Sequence, residues 1–315
     1  MSTPASLRLA GLGLACLLAA SGCSAANQTT PGGSTSGSAL ASTAVPSAPT
    51  PATTAVATPT ETTTPSTSGT STTTTSTSTT PSTTKPGTLA VTRNADGSCT
   101  MPTTYAGKDF ETMPTGSGKK IIALTFDGGA SDAGDKKILQ VLKDKNATAT
   151  FFFTGKFAEM YPDTVRTIAA TYPIGNHSYD HPYFTKISDA AANQELDKGE
   201  AAIVKASGGV SPVPFFRFPF GDVNAHAIGL VNRKCYVPFR WTIDTLGWAG
   251  TSSNSVTKIL ALVNAKATPG GVILMHQGDN PDDHSTLDAD ALAAMIDNLR
   301  AKGYALVTLE EALRR

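Results

Sequence analysis

Short apolar runs alternate with longer amphipathic segments from Lys119 to the end of the chain. A short apolar run is typical of a buried strand, whereas apolar residues that recur every three to four positions are typical of a helix. The predicted strands span residues 121–126, 148–153, 214–218, 237–243, 272–275 and 305–307. The predicted helices lie near residues 134–145, 160–170, 188–206, 254–266 and 287–302, and a Thr308…Glu311 capping box opens a last one. This alternation predicts an α/β domain with a mostly parallel sheet, either open or closed into a barrel.

The first 22 residues have the features of an export signal. Arg8 precedes an apolar run over residues 9–20, which is too short to span a bilayer and is typical of a secretory signal peptide. The stretch Ala20-Ser21-Gly22-Cys23 resembles a bacterial lipobox, after which Cys23 would be the lipidated first residue of the mature protein. Ordinary cleavage after Ser24-Ala25-Ala26 is the alternative, and it would give a fully secreted protein.

Residues 23–92 consist almost entirely of Thr, Ser, Pro, Ala and Gly, which cannot bury enough apolar surface to form a core. We predict a disordered tether, which is either a stalk that positions the following domain or a passive linker. Only Arg8, Glu61 and Lys85 are charged before Arg93, although the chain has 25 basic and 25 acidic residues. All other charged residues therefore belong to a single globular domain, residues 93–315. A net charge of zero argues against nucleic acid as a partner.

Two of the four cysteines fall within the predicted domain. Cys16 lies in the signal peptide and Cys23 is the lipidation candidate, which leaves Cys99 and Cys235. Paired cysteines in an exported protein usually form a disulfide, and we therefore predict a structural Cys99–Cys235 bridge.

Ionisable residues follow several of the predicted strands. Asp127, Arg217, Asp244 and His276 each come at the end of an apolar run, and His177 follows the short stretch 172–175. The carboxyl ends of parallel strands form the face where α/β sheets and barrels place their active sites. These side chains are therefore expected to converge.

The segment His177-Ser178-Tyr179-Asp180-His181 is a candidate metal site. Two imidazoles four positions apart can bind one ion from a helical turn or a tight loop, and Pro182 favours a loop. Two histidines with a carboxylate suit Zn²⁺ or another first-row divalent ion, with one position open for water.

Five motifs in this order resemble those of the polysaccharide deacetylase family, carbohydrate esterase family 4 with its NodB-homology domain. The resemblance covers roughly residues 118–315. The motifs are Thr125-Phe126-Asp127-Gly128-Gly129, the His177–His181 segment, Arg217-Phe218-Pro219-Phe220-Gly221, Asp244…Trp248 and Leu274-Met275-His276. Membership implies a distorted (β/α) barrel and metal-assisted hydrolysis of N-acetyl groups on sugars.

The resemblance also implies a role for each motif residue. Asp127 would be the general base, oriented by Arg217, and His276 the general acid, kept protonated by Asp244. His177 and His181 would bind the metal. Three residues would contact the substrate: Trp248 and Leu274 as walls for the acetyl methyl group, and Phe220, where the family usually has Tyr, through its backbone N–H at the oxyanion.

The first motif departs from the family at one position. The family normally has a second Asp, a metal ligand, where this chain has Gly128. Three interpretations are open: Asp132 supplies the missing carboxylate, water fills the vacancy and leaves a weaker two-histidine site, or the domain binds glycan without catalysis. The alternative for Asp132 is a structural role alone, as the N-cap of the helix that follows it.

We therefore expect a monomeric, extracytoplasmic N-deacetylase held at the membrane by a lipid anchor alone, or secreted. Its expected substrate is an N-acetylated glycan, peptidoglycan or a related N-acetylglucosamine polymer, an inference that rests on the tether and anchor. The alternatives are a catalytically silent glycan-binding lipoprotein and an O-acetyl esterase acting on a polysaccharide.

Overall fold

The computed structural model describes residues 90–113 and 119–313. The predicted signal peptide, Cys23 and the tether up to residue 89 lie outside these described residues. The packed domain includes Ala90 and Val91, which the tether was expected to contain, because both are buried and the Ala90 N–H donates to the Leu313 carbonyl at 3.2 Å. Within the described ranges, no helix is long and apolar enough to cross a membrane.

Strands and helices alternate along most of the described chain. The strands are β1 (Thr92–Arg93), β2 (Cys99–Thr100), β3 (Ile121–Gly128), β4 (Thr150–Phe153), β5 (Ile174–Asn176), β6 (Phe215–Phe216), β7 (Val237–Pro238), β8 (Ile243–Asp244), β9 (Gly271–His276) and β10 (Ala305–Val307). The helices are α1 (Asp135–Asp144), α2 (Gly155–Met160), α3 (Pro162–Ala169), α4 (Asp189–Ser207), α5 (Ala225–Arg233), α6 (Val256–Lys266), α7 (Leu287–Ala301) and α8 (Glu310–Leu313).

The main sheet is parallel and curled, with strand order β7-β6-β5-β4-β3-β9-β8 and with β10 paired to the first residues of β3. β7 and β8 are its two edges, so the barrel has a gap between them. The predicted fold class, a distorted (β/α) barrel, is confirmed.

Side chains of β3 alternate between two apolar clusters. Ile122, Leu124 and Phe126 pack into the cluster that contains the buried faces of α1, α6 and α7, whereas Ile121 and Ala123 belong to the cluster inside the curled sheet. Because strand residues two apart share a face, the polar residues at 125 and 127 continue the inner face toward its carboxyl edge. All eight β3 residues are buried, as expected for a central parallel strand.

Two predicted elements differ from the structure, and two helices were not predicted. The predicted strand 237–243 is two short strands, because β7 pairs with β6 whereas β8 pairs with β9 at the other edge. The predicted helix 160–170 corresponds to α3, which Pro162 begins, and the preceding helix α2 was not predicted. Helix α5 was not predicted. Its Asn224 side chain accepts a hydrogen bond from the Ala227 N–H, a typical N-cap.

Cys99 and Cys235, the predicted pair, form a disulfide with a Cα–Cα distance of 5.3 Å. Cys235 is buried in the inner cluster beside Ala90 and Val91. The bridge therefore fastens the amino-terminal part of the domain to the segment that leads into β7.

Candidate active site

The carboxyl ends of four strands bring the predicted site residues to one cavity of about 710 Å³. Asp127 near the end of β3 lies in register with His276 at the end of β9. His177 directly follows β5, and Asp244 ends β8. All four line the cavity. The fully buried Arg217, which follows β6, donates a hydrogen bond to Asp127. The predicted convergence at this edge is therefore present.

Arg217 fixes the orientation of Asp127. Its Nη1 donates to Asp127 Oδ1 at 2.6 Å, and its Nη2 donates to Thr125 Oγ1 at 2.9 Å. Its Nε donates to the Phe239 carbonyl at 3.1 Å, and the guanidinium lies 4.3 Å from the centroid of the Phe152 ring. A charge at zero exposure needs this complete set of partners. The second oxygen of Asp127, Oδ2, faces His177 Nε2 at 3.4 Å.

His177 and His181, the imidazole pair, turn their Nε2 atoms toward each other at 3.1 Å. His177 Nδ1 lies 2.8 Å from the Arg217 carbonyl, which can only accept, so this nitrogen carries the proton and Nε2 has the free lone pair. Burial lowers the pKa of His177 to about 3 and that of His181 to about 4. Both imidazoles are therefore neutral at pH 7, the form that binds metals.

The loop that carries the imidazole pair is held by α4. Its residues Ser178 and His181 have φ values of 67° and 61°, a left-handed conformation that non-glycine residues rarely adopt. Glu195 Oε2 accepts the N–H groups of Tyr179 at 3.0 Å and Asp180 at 2.7 Å. Gly199 permits the close approach, because a Cβ there would lie 2.9 Å from the Ser178 carbonyl. Sequence reasoning missed both Glu195 and Gly199.

Asp132 does not join the imidazole pair. Its Oδ2 accepts a hydrogen bond from the Thr164 hydroxyl at 2.7 Å, and the N-cap of α1 is Gly134 rather than Asp132. Across residues 90–113 and 119–313, no group of three or more His, Cys, Asp or Glu side chains is arranged to hold a metal ion. The prediction of Asp132 as the third ligand is thus not supported by the geometry, because its loop directs the carboxylate toward α3.

The space beside Gly128 is filled by Gln277. A Cβ at position 128 would lie 2.1 Å from Gln277 Oε1 and 3.1 Å from Phe153 Cδ1. The Gln277 side chain is fully buried, and its Nε2 donates to Asp135 Oδ1 at 2.5 Å. Burial raises the pKa of Asp135 to about 7. The position of the missing ligand is therefore occupied by this chain's own side chain.

His276 has a different carboxylate neighbour from the one predicted. Asp288, in the first turn of α7, accepts the His276 backbone N–H at 2.8 Å, and its Oδ2 lies 3.9 Å from His276 Nδ1. Asp244 Oδ1 instead accepts the Leu246 N–H at 2.9 Å. Burial lowers the pKa of His276 to about 4. The structure thus does not support the expectation that Asp244 keeps His276 protonated, because desolvation disfavours the imidazolium and Asp244 Oδ1 is bound by Leu246.

Apolar side chains form the walls of the cavity: Trp248 and Leu274, the residues expected there, and Phe220, which was expected to contribute its backbone N–H. Leu274 is buried, whereas Trp248 and Phe220 are about half exposed. Phe220, with φ of 59°, stacks on Tyr183 at a centroid distance of 4.1 Å and contacts the His181 ring edge-on at 4.4 Å. Tyr183 was not predicted, and an aromatic residue two positions after His181 is the signal that could have indicated it.

Residues 115–237 match the family described as polysaccharide deacetylase. The chain is 35% identical over 192 residues to a peptidoglycan-N-acetylglucosamine deacetylase of Bacillus cereus, covering 61% of this chain and 67% of that protein. It is 34% identical to the peptidoglycan-N-acetylglucosamine deacetylase PgdA of Listeria monocytogenes, covering 63% of this chain but only 40% of that protein. It is 32% identical to a chitooligosaccharide deacetylase of Rhizobium leguminosarum bv. trifolii, covering 62% of this chain and 93% of that protein.

Solved structures show the same fold. A peptidoglycan N-acetylglucosamine deacetylase superimposes with a TM-score of 0.59 at 31% identity, covering 67% of this chain and 96% of that one. A family 4 carbohydrate esterase pseudoenzyme from Bacillus anthracis superimposes with a TM-score of 0.56 at 27% identity, covering 62% of this chain and 66% of that one. A mutant of that pseudoenzyme has restored enzymatic activity. Active and inactive proteins therefore share this architecture.

Proposed function

Since the chain belongs to the polysaccharide deacetylase family, we propose that it is a metal-dependent hydrolase that removes N-acetyl groups from an extracytoplasmic polysaccharide. The supporting observation is one arrangement: Asp127, oriented by the buried Arg217, lies in register with His276 and faces the imidazole pair. A site that only bound sugar would need neither a positioned base nor a proton donor beside it.

The proposed cofactor is a divalent cation, Zn²⁺ or another first-row ion, held by His177 and His181. Nitrogens that share a tetrahedral zinc lie about 3.3 Å apart, close to the 3.1 Å between these Nε2 atoms. When bound, such an ion lowers the pKa of a water molecule and polarises the amide carbonyl. With Asp132 directed toward Thr164, the arrangement favours the second interpretation of Gly128, a two-histidine site completed by water.

Asp127 takes the proton from the attacking water. Its Oδ1 is bound by Arg217, so Oδ2, which faces the imidazole pair, is the oxygen that accepts the proton. As the water oxygen bonds to the carbonyl carbon, negative charge moves to the carbonyl oxygen. The backbone N–H of Phe220, at the cavity wall, would donate to that oxygen.

His276 then protonates the departing nitrogen. Because desolvation keeps the imidazole neutral at pH 7, it must first gain a proton, and Asp127, its neighbour across β3 and β9, has just accepted one. Transfer to His276 returns Asp127 to the carboxylate. Donation from His276 to nitrogen accompanies cleavage of the C–N bond and gives acetate and the free amine.

A catalytically silent glycan-binding module is the second candidate function. It is favoured by Gly128, by the absence of a three-ligand group among the described residues, and by the similarity to a pseudoenzyme. The cavity with its half-exposed Trp248 and Phe220 would still bind a sugar in that case.

Release of acetate separates the two functions. The purified protein, incubated with N-acetylglucosamine oligomers or peptidoglycan, is expected to release acetate together with an equal amount of free amine. A chelator should reduce the release to background, and added Zn²⁺ should restore it. Binding without acetate release from any N- or O-acetylated glycan would establish the silent module. Release from O-acetylated glycans alone would identify an esterase.

We also propose that the protein is exported and anchored through a lipid on Cys23. The disulfide between Cys99 and Cys235 suits an oxidising compartment. Such an anchor and the tether would hold the domain near the cell wall, which favours peptidoglycan as the substrate.

The Cys23→Ala variant is expected to move from the membrane fraction to the medium, because the lipidated residue is lost. Fractionation and immunoblotting measure this change, and acetate release per molecule should be unchanged. A wild-type protein whose mass shows no lipid on Cys23 would contradict lipidation, whereas an uncleaved signal peptide can by itself keep the variant in the membrane fraction.

A further inference from the structure

A buried carboxylate, that of Asp288, contacts His276. Asp288 is 3% exposed, and its Oδ2 is 3.9 Å from His276 Nδ1. In the part of the chain that the structure describes, His276 Nδ1 and Asp288 Oδ1 both lack a hydrogen-bond partner. Buried polar atoms are rarely left unpaired, and here two of them belong to adjacent, chemically complementary groups.

Gly247 makes room for this carboxylate. A Cβ at position 247 would lie 2.3 Å from Asp288 Cγ and within 2.5 Å of both carboxylate oxygens. Any larger residue there would displace Asp288 or be displaced by it. The glycine of the β8–α6 connection and the aspartate of α7 are thus fitted to each other beside the site.

The backbone of His276 is held by the same side chain. Asp288 Oδ2 accepts the His276 N–H at 2.8 Å, so one carboxylate touches both the backbone and the ring side of this residue. An acidic residue in the first turn of a helix also interacts favourably with the helix dipole. A purely structural role would need only the interaction with the helix dipole, and an exposed carboxylate would provide that interaction equally well.

On the basis of the proposed deacetylase function, we propose that Asp288 is the positioning residue of His276: its carboxylate orients the imidazole through Nδ1 and balances the positive charge that His276 carries during proton donation. A carboxylate at Nδ1 favours the tautomer with hydrogen on Nδ1, so that the other nitrogen, Nε2, exchanges the catalytic proton. Other charged groups also act on His276. Asp127 favours the protonated imidazolium form, whereas Arg217 disfavours it, as does the imidazole pair when it is protonated. Asp244 is the charged neighbour of Asp288 itself.

The test compares Asp288→Asn with Asp290→Asn. Asp290 is a matched control, because it lies in the same first turn of α7 but is exposed and pairs with Lys137. On N-acetylglucosamine oligomers, Asp288→Asn is expected to lower kcat by about 10–100-fold with little change in KM, and Asp290→Asn should behave as the wild type. A kcat for Asp288→Asn equal to that of the control would overturn the proposal.

The leaving group distinguishes positioning of an acid from general damage. 4-Nitrophenyl acetate releases a phenolate that needs no protonation, so its hydrolysis should change less than about twofold in Asp288→Asn. Equal losses on amide and ester would mean that Asp288 supports the whole site structurally, contrary to the proposal.

A second measurement does not depend on activity. Nitrogen-15 NMR of the full chain reports the tautomer of the His276 ring, and the population with hydrogen on Nδ1 should fall in Asp288→Asn because the carboxylate beside Nδ1 is lost. An unchanged tautomer population would overturn the role of Asp288. Failure of the deacetylase function itself would appear separately, as a wild-type protein that releases no acetate.

Discussion

Asp127→Asn is expected to lower kcat/KM for acetate release by about 10²–10⁴-fold, because the amide cannot accept the proton of the attacking water. The side chain keeps its size, so the cavity should retain its shape and KM should change little. Acetate release measured at several substrate concentrations and pH values separates these two constants.

The matched control is Asp163→Asn, an exposed carboxylate on α3 that pairs with Arg166 three residues away. Its activity should equal that of the wild type. If Asp127→Asn retained more than about a tenth of the wild-type kcat/KM, Asp127 would not be the general base. Circular dichroism of both variants establishes that the comparison concerns folded proteins.

Arg217→Met is expected to lower the free energy of unfolding by about 3–5 kcal/mol, because it leaves the buried Asp127 carboxylate without its counterion. Arg217 is fully buried and its Nη1 lies 2.6 Å from Asp127 Oδ1. Urea unfolding followed by circular dichroism measures the change. The variant should also lose acetate release, since Asp127 is no longer oriented.

Two comparisons test the reason for that loss. Arg166→Met removes an exposed pair and should cost less than about 1 kcal/mol. In the double variant Arg217→Met with Asp127→Asn both charges are gone, so the second substitution should restore part of the stability that the first removed. A double variant that is destabilised by the sum of the two single effects would contradict this account.

The fold and most of the site could be predicted because the informative residues follow apolar runs. Asp127 lies near the end of β3, Arg217 follows β6 and His276 ends β9. Parallel strands bring residues at these positions to one edge of the sheet. The nearly continuous apolar run of β3 predicts a central parallel strand, and all of its residues are buried in the structure. For these residues, local pattern and tertiary position agree.

The contacts of Asp288 and Asp132 depend on how helices pack against the rest of the domain. The hydrophobic periodicity of the sequence does not reveal that packing. Asp288 reaches His276 only because α7 packs beside β9, and nothing near Asp288 in the sequence indicates a histidine partner. The Asp132 carboxylate is directed by its loop toward Thr164, a contact between α3 and the segment before α1. This limit explains why the sequence pointed to Asp244 rather than Asp288 as the neighbour of His276, and to Asp132 as a metal ligand.

The gap between β7 and β8 has a consequence for the charge buried beneath the cavity. Phe239 and Arg240 follow β7, and their carbonyl oxygens accept hydrogen bonds from Arg217 at 3.1 and 3.4 Å. A further strand paired to these two carbonyl oxygens would remove the acceptor of Arg217 Nε and leave Nη2 with Thr125 Oγ1 alone. The open edge therefore supplies two backbone oxygens that help to hold the cation that orients Asp127.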